Sequence, residues 1–309
     1  MTRSIVVLTG GVGGAKLVLG LQSLVPPGQL TAIVNTGDDF RHLGLHISPD
    51  IDTLLYTLSG KANAVQGWGR EGETWSFMSA LRELGGEDWF ALGDQDLALH
   101  VLRSMRLASG ERLAAITRDF ARHWGIGTEV LPMSEQSVLT HVRTEEGVLE
   151  FQRYFVERRC QPVVTGVEFR GAGDALPSPG VTAAIASADV IMIAPSNPFL
   201  SIDPMLAIPG LRQALAARRA PAVAVSPIVG GKAVKGPTAK LMAEMGLEAN
   251  NAAIARHYDG LIDGLLVDTP DSAPAGLAIG RADIMMHGLE DKVRVARAAL
   301  DLALALARG

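Results

Sequence analysis

The stretch "SIVVLTGGVGGAKLVLGLQ", Ser4 to Gln22, decides the fold. An apolar run, Ile5 to Leu8, leads into Gly10, Gly11, Gly13 and Gly14, and a helical pattern follows from Ala15. A short continuous apolar run is the pattern of a strand buried on both faces, as in a parallel sheet. Glycines let a ligand approach the backbone, and a helix N-terminus offers N–H groups to an anion. The stretch matches neither standard glycine signature. A phosphate loop needs Gly-Lys-Ser/Thr, but here Ala15 precedes Lys16 and Leu17 follows it. A dinucleotide fingerprint needs a third glycine where Lys16 stands. The physics survives the failed patterns, so Gly10, Gly11, Gly13, Gly14 and Lys16 are expected to contact a phosphate or nucleotide.

Outward from this unit the alternation continues. Apolar runs at 30–37, 189–198, 220–231, 263–268 and 282–286 read as strands with their following loops. Helical patterns fall at 50–60, 74–84, 95–105 and 110–124, around 237–259, and in a long C-terminal segment. Such alternation makes a mostly parallel, doubly wound α/β sheet with helices on both faces. The segment 137–158 differs, because two β-like runs flank Glu145-Glu146-Gly147 and predict a hairpin. The region from roughly 110 to 180 therefore reads as an inserted α+β subdomain within one domain of 1–309.

Composition narrows the partners. The chain has 309 residues, 48% hydrophobic and 20% charged, with a net charge of −5. That balance supplies a core and no strong basic field for duplex nucleic acid. One cysteine, Cys160, excludes an intrachain disulfide and a Cys-x-x-Cys zinc site. The N-terminus lacks a signal-peptide pattern, and no apolar run of about 18 residues is present. A soluble cytoplasmic protein, with neither membrane nor nucleic-acid partner, is expected.

In open α/β sheets, ligands bind beyond the carboxyl ends of strands, near the switch in strand order. The loops there carry the unusual residues. "NTGDDF" holds Asn35, Thr36, Asp38 and Asp39, and "SPDIDT" holds Asp50 and Asp52 at a helix start. If the two converge, Asp38, Asp39 and Asp50 could hold Mg²⁺ beside a diphosphate, and one acid could take a proton from an attacking hydroxyl. The competing reading of Ser48, Asp50 and Asp52 is helix capping. "LGDQDLALH" adds Asp94, Gln95 and Asp96, with His100 one turn beyond Asp96. Ser196, Asn197 and Ser226 are donors after strands, and Lys232, Lys235 and Lys240 make a local positive cluster. Trp68, Trp75, Trp89 and Phe90 lie near the acidic motifs, where stacking on a flat ligand competes with core packing. His42 and His46 lack the glutamate of a metalloprotease motif and read as loop packing or a polar contact to substrate.

Taken in order, "GGVGGAK", "NTGDDF", "HLGLHISPDIDT", "GWG", "ETW", "LGDQDLALH", "LPMS", "APSNP", "IPG" and "VSPIVGGKAVKGP" resemble the 2-phospho-L-lactate transferase family of deazaflavin coenzyme F(420) biosynthesis. The resemblance runs from residue 10 to residue 237. It implies a Rossmann-like fold with an inserted subdomain. It also implies a deazariboflavin acceptor, Fo, and a guanosine diphosphate donor carrying a three-carbon acid. The ribityl hydroxyl would attack the phosphorus bearing the acid, GMP would leave, and Mg²⁺ would assist. Carried over, the family's acidic motifs fall on Asp50 and Asp52 and on Asp94, Gln95 and Asp96. Many members have arginine where Gln95 stands, which puts a charge-based role there in doubt. Val12, Gly14 and Ala15 place the chain nearer the bacterial branch, in which the donated group is phosphoenolpyruvate-derived or phospholactate-derived. The assembly implied is one protein chain or a homodimer with its two small substrates.

Two other classes compete. A related family of gluconeogenesis-linked regulators shares the glycine turn and is thought to bind a UDP-sugar. "SPDIDT", "LGDQDLALH", "GWG" and "ETW" together favour the transferase. A dinucleotide oxidoreductase is disfavoured by the missing third glycine, although Asp38 stands near the expected ribose-binding acid.

Overall fold

The computed structural model describes residues 3–63, 66–233 and 237–308, with the backbone alone at Lys232 and Ala233. Its centre is a seven-stranded sheet. In chain order the strands are β1 (Ile5–Thr9), β2 (Leu30–Val34), β3 (Glu129–Pro132), β4 (Val190–Ile193), β5 (Ala222–Val225), β6 (Gly264–Asp268) and β7 (Ala278–Ala282). In space they run β3-β2-β1-β4-β5-β6-β7, every neighbouring pair parallel. Ile5 pairs with Leu30 on one side and Val190 on the other. The order therefore reverses between β1 and β4, which opens a crevice at their carboxyl ends.

The sequence explains why the sheet forms. All five residues of β1 and all four of β4 and β5 are buried. Ile5 and Val7 enter the core on one face, and Val6 and Leu8 enter the core on the other. Side-chain alternation along a strand buried on both sides requires this division. On the first face lie α1 (Gly11–Gln22), α2 (Pro49–Leu58), α3 (Asp94–Ala108), α4 (Leu113–His123) and the C-terminal α5 (Leu289–Leu306). Among the described residues no helix is long and apolar enough to cross a membrane.

Four local readings change. The first helix starts at Gly11, not Ala15, so the glycine run forms its first turn. Strand β3 had no alternating or purely apolar signal, because Glu129-Val-Leu-Pro is short and ends in proline. The last strand lies at Ala278–Ala282 rather than 282–286. The expected hairpin forms from Leu139–Thr144 and Gly147–Glu150, but Arg153–Glu157 is π-helical and the third strand is Val164–Arg170. Of the region 110–180, α4 and β3 belong to the main layers, and the three-stranded antiparallel sheet occupies 139–170. That small sheet is tied to the acidic loop after β2, since Thr140 N donates to the Gly37 carbonyl at 2.7 Å.

Candidate functional site: an acidic crevice at the strand-order switch

At the switch point the loops after β1 and β4 interlock. Gly10 N donates to Ser196 Oγ at 3.1 Å, and that hydroxyl donates back to the Gly10 carbonyl at 2.7 Å. A Cβ on Gly14 would stand 2.2 Å from Thr9 Oγ1 and 2.7 Å from Ser196 Oγ; one on Gly13 would stand 2.7 Å from the Pro195 carbonyl. Gly11 has φ +64° and donates to Asp50 Oδ1 at 2.7 Å. The glycine run thus serves close approach first. Two of its N–H groups already hold Ser196 and Asp50. The Lys16 ammonium donates to the carbonyl of Met286.

The acids gather around Asn35, whose side chain is wholly buried. Its Nδ2 donates to Asp38 Oδ1 and to Asp50 Oδ2, the latter at 3.0 Å, while its Oδ1 accepts Gly37 N at 2.8 Å. Asp38, Asp39 and Asp50 are 8%, 8% and 6% exposed. Burial pushes Asp38 well above the ordinary carboxylate range, and the charges of Asp50 and Asp39 add to the shift. Burial raises Asp50 to about 6 against the bonds from Asn35 and Gly11. It raises Asp39 as well, against His46, Ser48 and Arg103. Asp39 Oδ2 accepts Ser48 Oγ at 2.7 Å and lies 3.1 Å from His46 Nε2, whereas its buried Oδ1 has no hydrogen-bond partner. Buried carboxylates without a counter-charge are destabilising unless protonated or neutralised by a cation. Asp38 and Asp50 form no ion pair among the described residues.

A divalent cation fits this chemistry. Among the described residues no three His, Cys, Asp or Glu side chains are arranged to hold a metal by themselves. Mg²⁺ does not require that, because it keeps waters and commonly uses one or two carboxylates plus substrate phosphates. Asp38 and Asp50, joined through one amide, supply such a pair.

Asp52 is two residues from Asp50 and has a different environment. The buried Arg103 guanidinium grips its carboxylate with two N–H groups, one at 3.1 Å. His100 Nδ1 lies 3.6 Å from Asp52 and its Nε2 lies 3.1 Å from Asp96. Tyr56 donates its hydroxyl to Asp96. Asp52 is therefore committed to a compensated network between α2 and α3, while Asp50 faces the crevice loops.

The remaining expected residues divide in the same manner. Asp94 accepts Thr74 Oγ1 at 2.6 Å and the N–H groups of Ser76 and Phe77 at 3.0 Å, so it caps the helix Ser76–Glu83. Gln95 Nε2 donates to the Gly72 carbonyl at 2.6 Å, and Glu73 accepts the N–H groups of Gln95 and Asp96. Asn197 Oδ1 accepts Phe199 N at 3.0 Å, leaving its buried Nδ2 without a partner. Ser226 donates to Asn251 Oδ1 at 2.6 Å. Thr36 is buried with an unpartnered hydroxyl, as is Thr9. Lys235 and the side chain of Lys232 lie outside the described residues; Lys240 bonds Glu244 and the Pro162 carbonyl. Trp89 and Phe90 pack with Phe40 and His42, and Arg153 lies 4.1 Å from the Trp89 ring centre. Trp68 and Trp75 are exposed.

Thr9 and Arg103 escaped the sequence reading, whereas His46 was expected as loop packing or a polar contact to substrate and Ser48 as a helix cap, and both meet Asp39 instead. Only Arg103 left a signal: Asp96, His100 and Arg103 fall on one helical face. Thr9 and Ser48 look like ordinary strand-end and capping residues; in the fold Ser48 donates to Asp39, and the Thr9 hydroxyl is buried without a hydrogen-bond partner.

The model of the family "2-phospho-L-lactate transferase CofD" matches residues 5–295. A phosphoenolpyruvate transferase of Streptomyces griseus is 43% identical over 311 residues, covering 97% of this chain and 98% of that one. Its counterpart from Kitasatospora aureofaciens is 44% identical over 312 residues, 97% of each chain. The Mycolicibacterium smegmatis enzyme of that name is 39% identical over 321 residues, 97% of this chain and 98% of that one. Among solved structures, a UPF0052-family protein of Bacillus halodurans superposes with a TM-score of 0.65 at 20% identity, over 97% of this chain and 99% of that one. At that identity the likeness concerns the fold.

Proposed function

Because the chain belongs to the 2-phospho-L-lactate transferase family, we propose that it transfers a phospho-three-carbon acid from a guanosine diphosphate derivative to the ribityl hydroxyl of the deazaflavin Fo. GMP is released, and the product belongs to coenzyme F(420) biosynthesis. Relatives named phosphoenolpyruvate transferase, 43% and 44% identical, support phosphoenolpyruvate as the donated group.

The observation that carries the reading is the gathering of Asp38, Asp39 and Asp50, buried and with raised pKa values, around Asn35 at the β1/β4 crevice. In the reaction an O–P bond forms from the acceptor hydroxyl, the anhydride P–O bond to GMP breaks, and the hydroxyl proton passes to a carboxylate. Phosphoryl-type transfer depends chiefly on positioning and charge neutralisation. Asp38 and Asp50 would hold Mg²⁺, which when bound neutralises the donor's diphosphate. Asp39 Oδ1, unpartnered and backed by His46 and Ser48 on the other oxygen, is suited to receive the proton. Thr9, Thr36 and Asn197 carry buried polar atoms without partners, and these suit contact with phosphate oxygens or a base edge. Asp52 acts through Arg103 to fix the start of α2.

The test combines purified protein with Fo, Mg²⁺ and guanosine-diphospho donors bearing phosphoenolpyruvate or 2-phospholactate. GMP and a phosphorylated deazaflavin are expected, with faster turnover of the phosphoenolpyruvate donor. No GMP from either donor, with selective thermal stabilisation by UDP-N-acetylglucosamine, would overturn the proposal.

A further inference from the structure

The small antiparallel sheet buries one face, which carries Val138, Thr140 and Val142. Both valines belong to the core and share it with Phe199, Leu200 and Met205 of the segment after β4. Residues two apart on a buried strand face call for apolar side chains. Thr140, 2% exposed, keeps a hydroxyl there, and that hydroxyl has no hydrogen-bond partner. Valine has the same branched shape, so the packing does not ask for the oxygen. A buried hydroxyl without a partner destabilises the fold that holds it.

A second polar side chain at the same end of the sheet is uncommitted. The antiparallel register pairs His141 with Glu150, so Phe151 and Gln152 leave the sheet beside Thr140 and Leu139. Gln152 is 5% exposed, and its amide makes no hydrogen bond among the described residues while still touching solvent. This end of the sheet meets the acidic crevice. Thr140 N donates to the Gly37 carbonyl at 2.7 Å, one residue from Asp38. A Cβ on Gly37 would stand 2.7 Å from Thr140 Oγ1 and 2.9 Å from Asn35 Oδ1. The hydroxyl therefore borders the amide that joins Asp38 to Asp50. Lack of a partner alone does not make a site. Thr117 is as deeply buried with an unpartnered hydroxyl, but it lies on α4, which packs against β3 at the edge of the main sheet.

Resting on the transferase reading, we propose that Thr140 and Gln152, at the end of the inserted sheet, bind the carboxylate of the donated three-carbon acid. The phosphorus under attack belongs beside Asp38 and Asp50, and the acid hangs from that phosphorus. Its carboxylate arrives among buried carboxyls and needs hydrogen-bond donors there. A hydroxyl and an amide N–H are donors that add no charge of their own. Thr140 Oγ1 is shielded in the free chain, so the acid enters by a small parting of the acidic loop from the sheet end. Gly37 has no side chain to obstruct that parting.

The test uses the full chain with Mg²⁺, the phosphoenolpyruvate donor, and GDP as an inhibitor that lacks the acid. Thr140→Val and Gln152→Met each raise the KM of the donor in GMP release by about tenfold or more, the scale of a hydrogen bond to a charged group. The inhibition constant of GDP stays at the parent value. Thr140→Ser, which keeps the hydroxyl, stays near the parent. Thr140→Val melts no lower than the parent, because it removes an unpartnered buried hydroxyl. Thr117→Val serves as the control and leaves KM unchanged. Thr140→Val and Gln152→Met with the parent's KM would overturn the assignment, and so would GDP weakened as much as the donor, which would move the contacts to the diphosphate. A lower melting temperature of Thr140→Val with an unchanged KM would make the hydroxyl structural. A parent that releases no GMP would instead refute the transferase reading, and this assignment with it.

Discussion

Asp50 and Asp52 share the first turn of α2, yet they inhabit opposite electrostatic worlds. Around Asp50 are Asp38, Asp39 and a neutral amide, and burial raises its pKa to about 6. Around Asp52 is a buried arginine that satisfies both carboxylate oxygens. The first region gathers buried carboxyls with raised pKa values, and Asp38 and Asp50 there have no paired cation among the described residues, which is the gap the proposed metal would fill. The second is neutral within itself and sets geometry. The comparison teaches that an acidic motif is functional or structural according to where its counter-charge lies, not according to its spacing.

Replacing one acid in each region tests that division. Asp50→Asn should lower turnover by roughly 10²–10³-fold, the scale of removing one preorganised electrostatic group, while the protein still folds. Steady-state GMP release measures it, and turnover equal to the parent's would end the assignment. Arg103→Met should act through stability instead. Stranding Asp52 without its partner should cost about 3–5 kcal/mol, because an uncompensated buried charge remains. Urea unfolding reads this loss. Adding Asp52→Asn should restore part of it; a double variant as unstable as the sum of the singles would break the comparison.

A smaller effect concerns pH. The folded pKa of Asp50, about 6, lies above its ordinary value of 3.8, so the folded state binds its proton more tightly than the unfolded state does. That contribution is fully present below the ordinary value and is lost as pH rises through about 6. In metal-free protein, the melting temperature of Asp50→Asn relative to the parent should therefore rise between about pH 5 and pH 7.5. Saturating Mg²⁺ should narrow the gap at the higher pH by stabilising the parent alone. A gap that is flat with pH and metal would place the counter-charge of Asp50 inside the protein. The smallest change is expected at Asp94. Removing its cap by Asp94→Ala should cost about 1 kcal/mol and leave KM for the donor unchanged. A large rise in KM would move Asp94 back among the groups that bind substrate.

Much of the fold was legible because buried parallel strands write themselves as apolar runs. Ile5–Leu8, Val190–Ile193 and Gly264–Asp268 announce themselves in this way. Glu129–Pro132 does not, since it is short and owes its place to pairing with β2. The glycine run was legible as a special place but not in its role. Only the structure shows Gly13 and Gly14 admitting the Pro195 carbonyl and the hydroxyls of Thr9 and Ser196. Of "LGDQDLALH", the sequence displayed the acids and left open that Asp94 caps a helix while Asp96 joins Tyr56 and His100.

By itself, the order of residues determined an α/β sheet, acidic loops at the ends of its strands, and a family resemblance carried by motifs in series. Those properties are local, written in periodicity and residue type along one stretch of chain. Tertiary structure alone decided that Asp38 and Asp50 share Asn35 and that Asp52 belongs to Arg103. The state of a buried carboxylate depends on desolvation and on charges within a few ångströms, and those neighbours come from distant parts of the chain.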